Sequence, residues 1–238
     1  MAESVHDCSL ESLLAELHDH PVNTHRFFIE FRERWLTPQQ LYVFTTQYHY
    51  FCRHFVKLLE GLLFQTPVEE LEMRVELTKT LYSELGSGTV TQAHICHLER
   101  FAAAAGIDID ELRLTRPIPE NRHYLDILRH LFLEAGYLQA LGAELAVETT
   151  AVSEFRFFLP GLKKYPRFTE QDLTFFSMHL EEEIAHSDWL ITAVQKTAQT
   201  PEKLALVVSG ARTAADGWDA FWTGMRRAVF QSEHMKDS

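Results

Sequence analysis

Glycine and proline are scarce here, ten and eight in 238 residues. An all-β fold needs frequent turns, so this scarcity argues against one and favours long helices. Cysteine is scarcer still. Cys8, Cys52 and Cys96 are odd in number and show no CxxC spacing, which argues against a disulfide framework and for a reducing, cytoplasmic setting. No apolar run approaches the ~20 residues of a membrane span. The first twenty residues mix acids with leucines and lack a basic stretch, so no secretion signal is expected. Positive charge is in deficit, with 22 Lys and Arg against 34 Asp and Glu. The net charge of −12 argues against a nucleic-acid footprint and against attraction to an anionic membrane.

Apolar side chains are abundant. They make up 46% of the chain, including 17 Phe, which supplies an ample core. Leu10, Leu13, Leu14 and Leu17 share one helical face. Asn23 can cap a helix to residue 35. Thr37 caps another with Pro38 at its first position, running to about residue 64. Further helices are predicted over 68–84, 89–105, 121–158, 169–197 and 201–231. The 121–158 helix breaks near Gly136 or Gly142 and ends at Pro160-Gly161. No strand pattern, repeat or linker is present. These features predict one all-α domain over residues 1–238, a bundle of seven to eight helices with its chemistry in the core.

The chemistry centres on Met178-His179-Leu180-Glu181-Glu182-Glu183-Ile184-Ala185-His186. His179, Glu183 and His186 fall at i, i+4 and i+7 and project from one helical face. Two imidazoles and a carboxylate on one stripe make half of a metal site; a polar surface stripe is the plainer reading. Glu148 sits among small and apolar residues, where a carboxylate is costly to bury unless it binds metal or pairs with a cation such as Arg156. Glu144 shares its face. Glu84 ends one predicted helix and His94 lies inside the next, and Gly86 and Gly88 between them allow a turn that could bring both to one ion. His97 lies one turn beyond His94 and is the weaker of the two.

An ExG followed by His, a lone mid-chain Glu and an H-x3-[DE]-x2-H helix together resemble the heme-oxygenase-like diiron oxidases, also called iron-containing redox enzymes. This group includes the chlamydial death-domain-associating protein and the alkene-forming fatty-acid decarboxylase. Leu36-Thr37-Pro38-Gln39-Gln40-Leu41 and Phe44-x3-Tyr48 add to the likeness, which covers about residues 20–200. The resemblance implies a heme-oxygenase-like bundle. It also implies two Fe(II) ions held by Glu84, His94, Glu148, His179, Glu183 and His186, with O2 as co-substrate. Some members place the first carboxylate one residue earlier, at Ser83, so Ser83 or Glu60 remains an alternative to Glu84. The chlamydial member has tyrosine near the position of Phe28.

Hard carboxylates with imidazoles suit Fe(II) and leave positions for O2. The expected substrate is a small amino acid or related carboxylate in natural-product biosynthesis. Oxidative C–C cleavage, desaturation, N-oxygenation and nitrile formation are the candidate reactions. Expected pocket residues are Phe28, Tyr48, Phe51, Arg53, Phe55, Glu144, Val152 and Phe175, with Glu144 receiving an ammonium group. Three other classes stay open: a fatty-acid decarboxylase of the same fold, a metal-free thiaminase-like or PQQ-synthase-like enzyme, and a helical interaction protein. A heme oxygenase would need a proximal histidine such as His25. A homodimer is also open.

Overall fold

A computed structural model describes residues 9–231; of residues 181–188 it describes the backbone alone. Among the described residues there are ten α-helices and no strand. They are α1 (Leu10–His18), α2 (Arg26–Glu33), α3 (Pro38–Gln65), α4 (Leu71–Glu84), α5 (His94–Ala104), α6 (Ile109–Leu114), α7 (Pro119–Leu133), α8 (Tyr137–Lys163), α9 (Thr174–Thr197) and α10 (Pro201–Phe230). Short 3-10 turns at Pro21–Thr24 and Val90–Gln92 precede α2 and α5. No described helix is long and apolar enough to cross a membrane.

The start of α3 follows from its sequence. Thr37 accepts from the Gln40 backbone N–H while the Gln40 side chain accepts from Thr37 N, and Pro38 fills the first helical position, whose N–H needs no partner. The 28 residues of α3 span about 42 Å and cross the whole bundle. The central helix α8 packs chiefly against α10 and α9. Small residues set the α8–α10 spacing. A Cβ on Gly142 would lie 1.9 Å from Val207 O, and one on Gly210 would lie 2.0 Å from Gln139 O. The two backbones therefore touch at reciprocal glycines.

The core at one end is aromatic. Phe27 and Phe28 of α2 lie 5.0 and 4.9 Å from Trp222 of α10, and Phe31 lies 4.6 Å from Phe44 of α3. Each such ring buries well over 100 Å², which makes this cluster a large part of the hydrophobic driving force.

The architecture is all-α as expected, with more helices than seven or eight. Residues 109–114 form a short helix capped by Asp108, which the pattern did not reveal. The break in the long predicted helix falls at Gly136, whose φ is +100°; Gly142 stays helical because α10 needs its missing side chain. Pro160 does not end α8, which continues to Lys163. The carbonyl that Pro160 leaves unpaired belongs to Arg156, an exposed residue, so water can satisfy it. Gly161 meanwhile lets α2 approach, with a Cβ there placed 3.1 Å from Phe31 O. At the start of α9, Thr169 and Asp172 cap each other, but a turn intervenes before helix begins at Thr174.

Candidate metal centre

The α4–α5 connection is built by backbone that only glycine tolerates well. Gly86, Ser87 and Gly88 all take positive φ, at +85°, +52° and +88°. A Cβ on Gly86 would fall 2.3 Å from Thr89 O and 2.4 Å from Ala93 N, so the chain doubles back onto itself here. Tyr82 donates its hydroxyl to Ser87 O at 2.8 Å and holds the reversal shut. As a result the last residue of α4 meets the first of α5, with Glu84 Oε1 3.1 Å from His94 Nδ1.

His179 comes in from α9. Its Nδ1 lies 2.6 Å from Phe175 O, one turn back, so Nδ1–H donates there and Nε2 is left as the ligating nitrogen. Phe155 stacks on the imidazole at 4.6 Å and 20°, and Phe175 lies on it at 4.4 Å. The ring meets His94 edge-on at 4.8 Å. One ligand atom each from Glu84, His94 and His179 can be chosen so that all lie within 4.8 Å of one another. Small shifts of these side chains would let all three donors reach a single cation.

These three residues stand on the wall of a cavity of about 310 Å³. Glu148, nearly buried, lines the same cavity. The side chains of Glu183 and His186 lie outside the described residues; their backbone is part of α9. Glu144 is fully buried one turn before Glu148, and neither of its oxygens has a hydrogen-bond partner among the described residues. Burial, reinforced by the neighbouring Glu148 carboxylate, holds its carboxyl well above the usual range.

Of the expected pocket residues, Tyr48, Phe51, Arg53, Phe55 and Phe175 line the cavity. Three do not. Phe28 lies in the aromatic core, 4.9 Å from Trp222 and 5.5 Å from Phe158, because α2 turns that face to α8 and α10. Half-buried Val152 and fully buried Glu144, both on α8, are not part of the cavity lining. Glu60 stands at the cavity paired with Lys57. His97 is buried beside Arg100, its Nδ1 3.4 Å from the guanidinium, and does not join the three-residue cluster.

The alternative sites lose their key groups. His25 caps α2 by accepting from Phe27 N, and its Nε2 lies 3.1 Å from the Thr223 hydroxyl, so it is committed to structure. Cys52 lines the cavity, but burial, with the Glu154 and Glu84 charges, pushes its thiol well up; a nucleophilic thiolate is disfavoured.

Sequence reasoning missed Glu154, Tyr124 and Trp218, all on the cavity wall. Glu154 is 1% exposed and accepts a short hydrogen bond from the Tyr48 hydroxyl. Burial pushes its carboxyl up to about 8, partly offset by Tyr48 and the indoles of Trp218 and Trp222. Those indoles lie near without completing the arrangement, since Glu154 Oε2 and Trp222 Nε1 both lack a hydrogen bond of acceptable geometry among the described residues. Glu154 follows Glu148 on the same helix in the apolar Glu154-Phe155 setting, the same signal that drew notice to Glu148.

The model of the family described as iron-containing redox enzymes matches residues 42–219. A 4-aminobenzoate synthase of Nitrosomonas europaea is 28% identical over 94% of this chain and 92% of its own length. A 4-chloro-allylglycine synthase of Streptantibioticus cattleyicolor is 26% identical over 92% of this chain and 83% of its own. Among solved structures, a CADD-like protein of unknown function from Nostoc punctiforme superposes with a TM-score of 0.78 at 22% identity, covering 92% of this chain and 96% of that one. A domain of unknown function with a heme oxygenase-like fold from Shewanella denitrificans gives 0.75 at 17% identity, covering 94% of each.

Proposed function

The chain belongs to the iron-containing redox enzyme family, and from that premise we propose that it is an O2-dependent non-heme oxidase using two Fe(II) ions, with a small amino acid or related amino-bearing carboxylate as substrate. The observation that carries this reading is the convergence of Glu84, His94 and His179 at a cavity whose other lining is mostly apolar.

The donor set fits the metal. Two imidazoles and a carboxylate oxygen suit Fe(II) better than a soft thiolate-preferring ion. We assign Glu148, Glu183 and His186 to the remaining positions; with three carboxylates and three neutral imidazoles, two Fe(II) ions would carry a net charge near +1. Bound iron supplies the electron transfer to O2, which the side chains here cannot perform. The chain's own part is to hold, orient and exclude. Phe175 O fixes the His179 tautomer, and the flanking rings of Phe155 and Phe175 fix its plane. Phe51, Phe55 and Phe175 keep the cavity walls apolar and limit water beside the reacting centre.

A volume of about 310 Å³ suits a small molecule. The named products of both relatives, 4-aminobenzoate and 4-chloro-allylglycine, carry an amino and a carboxyl group. Arg53 and Lys57 at the cavity offer positive charge for a carboxylate. Oxidative C–C cleavage, desaturation, N-oxygenation and nitrile formation are all within reach of such a site, and a place in a biosynthetic route for a specialised metabolite follows. Anaerobic titration should show about two Fe(II) per chain, and His179→Ala should lose at least one of them together with all O2 consumption. Full iron binding and turnover by that variant would sink the assignment.

A further inference from the structure

Glu154 is a cavity carboxyl that the proposed iron site leaves unused. One oxygen accepts from Tyr48, and the other has no hydrogen-bond partner among the described residues. No lysine or arginine pairs with it among those residues. Aromatic rings gather at this end of the cavity. Phe51 lies 4.8 Å from Trp218 and 5.5 Å from Tyr124, and Tyr124 lies 4.9 Å from Trp218, all three on the cavity wall. The cavity's cations are elsewhere. Arg53 and Lys57 follow Tyr48 on α3 by five and nine positions, roughly 7 and 13 Å along the helix axis. The cavity thus carries a buried acid with aromatic rings in its lining and, further along α3, two bases, of which Lys57 is paired with Glu60 and Arg53 is not paired with an acid among the described residues.

We propose that Glu154, which shares the cavity wall with Phe51, Tyr124 and Trp218, receives the ammonium group of the substrate and so selects amines over neutral molecules of the same shape. A cation leaving water needs a countercharge, and the carboxyl supplies it by releasing its proton to solvent as the ammonium arrives, since a neighbouring cation favours the charged form. Aromatic faces add attraction for a desolvated cation that a neutral hydroxyl does not feel. The ammonium in turn brings Glu154 the charge partner that the fold withholds. A substrate whose carboxylate is separated from its amine by a chain or ring could then reach toward Arg53 and lie along the cavity that Glu84, His94 and His179 line. This assignment rests on the amino-acid reading above, and it moves amine recognition from Glu144, which does not reach the cavity, to Glu154.

The test is binding of hexylammonium and of 1-hexanol at pH 7, followed by calorimetry and by tryptophan fluorescence, which Trp218 should report. It is run on iron-free and Fe(II)-loaded protein, wild type and Glu154→Gln. Wild type should prefer the amine by tenfold or more in both forms. Glu154→Gln keeps an acceptor for Tyr48 but not the charge, and should lose that preference while binding hexanol and Fe(II) as before. Equal preference in wild type and Glu154→Gln, or none in wild type, would overturn the inference even if iron binds as proposed. If wild type takes up no iron but still prefers the amine through Glu154, the oxidase reading fails and the amine site stands.

Discussion

Replacing Glu154 by glutamine should stabilise the iron-free protein, and by an amount that depends on pH. The ordinary glutamate value is 4.5, and burial raises Glu154 to about 8. As pH rises from 4.5, the unfolded chain releases this proton while the folded chain keeps it. The folded state then binds more protons, so stability falls with rising pH until the folded carboxyl also ionises near pH 8. The slope is at most 1.36 kcal/mol per pH unit, which between pH 4.5 and 7 accumulates to a ceiling of roughly 3 kcal/mol. An amide cannot ionise, and its carbonyl oxygen can still accept from Tyr48. Glu154→Gln should therefore match wild type near pH 4.5 and exceed it by up to ~3 kcal/mol at pH 7, or about 6–12 °C in Tm for a chain of this size. Urea and thermal denaturation of iron-free protein at pH 5, 6, 7 and 8 would measure it. A gap between the two proteins that does not change with pH would refute the reasoning, because it would mean that Glu154 is already ionised and charge-compensated in the fold. A stability cost that persists at a cavity wall is what a binding residue would be expected to carry.

Glu84→Ala should lose the same iron as His94→Ala, by metal analysis after gel filtration, whereas Ser83→Ala should bind normally; a normal Glu84→Ala would mean that the carboxylate was misplaced. Gly86→Ala places a side chain at φ +85° and 2.3 Å from Thr89 O, so it should lower stability by several kcal/mol and weaken Fe(II) binding with it, read by denaturation and iron titration. Gly142→Ala drives a methyl into Val207 O and should cost at least 1–3 kcal/mol by parting α8 from α10; wild-type stability would show that the contact relaxes freely.

Much of this protein was legible from residue order because the signals are local. Helix caps and periodicity depend on neighbours a few positions apart, which is why Thr37, Pro38 and Gln40 announce the start of α3. Candidate metal ligands on one helix obey the same short-range geometry, so His179, Glu183 and His186 could be aligned by spacing alone. The glycines after Glu84 pointed to a reversal that the backbone angles now explain. Where a helix stops was harder, because the outcome at Pro160 and Gly142 depends on a partner helix distant in sequence. The direction in which Phe28, Glu144, Val152 and Glu154 face was harder still. All sit in amphipathic or fully apolar helices, and rotation by a fraction of a turn decides between cavity wall and core. That rotation is set by helix packing, above all by the close approach of α8 to α10 at Gly142 and Gly210. Residue order alone made an all-helical chain readable, with histidines and carboxylates in an order that suits iron. That Glu154 rather than Glu144 lines the cavity could be read from the packed helices alone, because it depends on how whole helices are turned against one another.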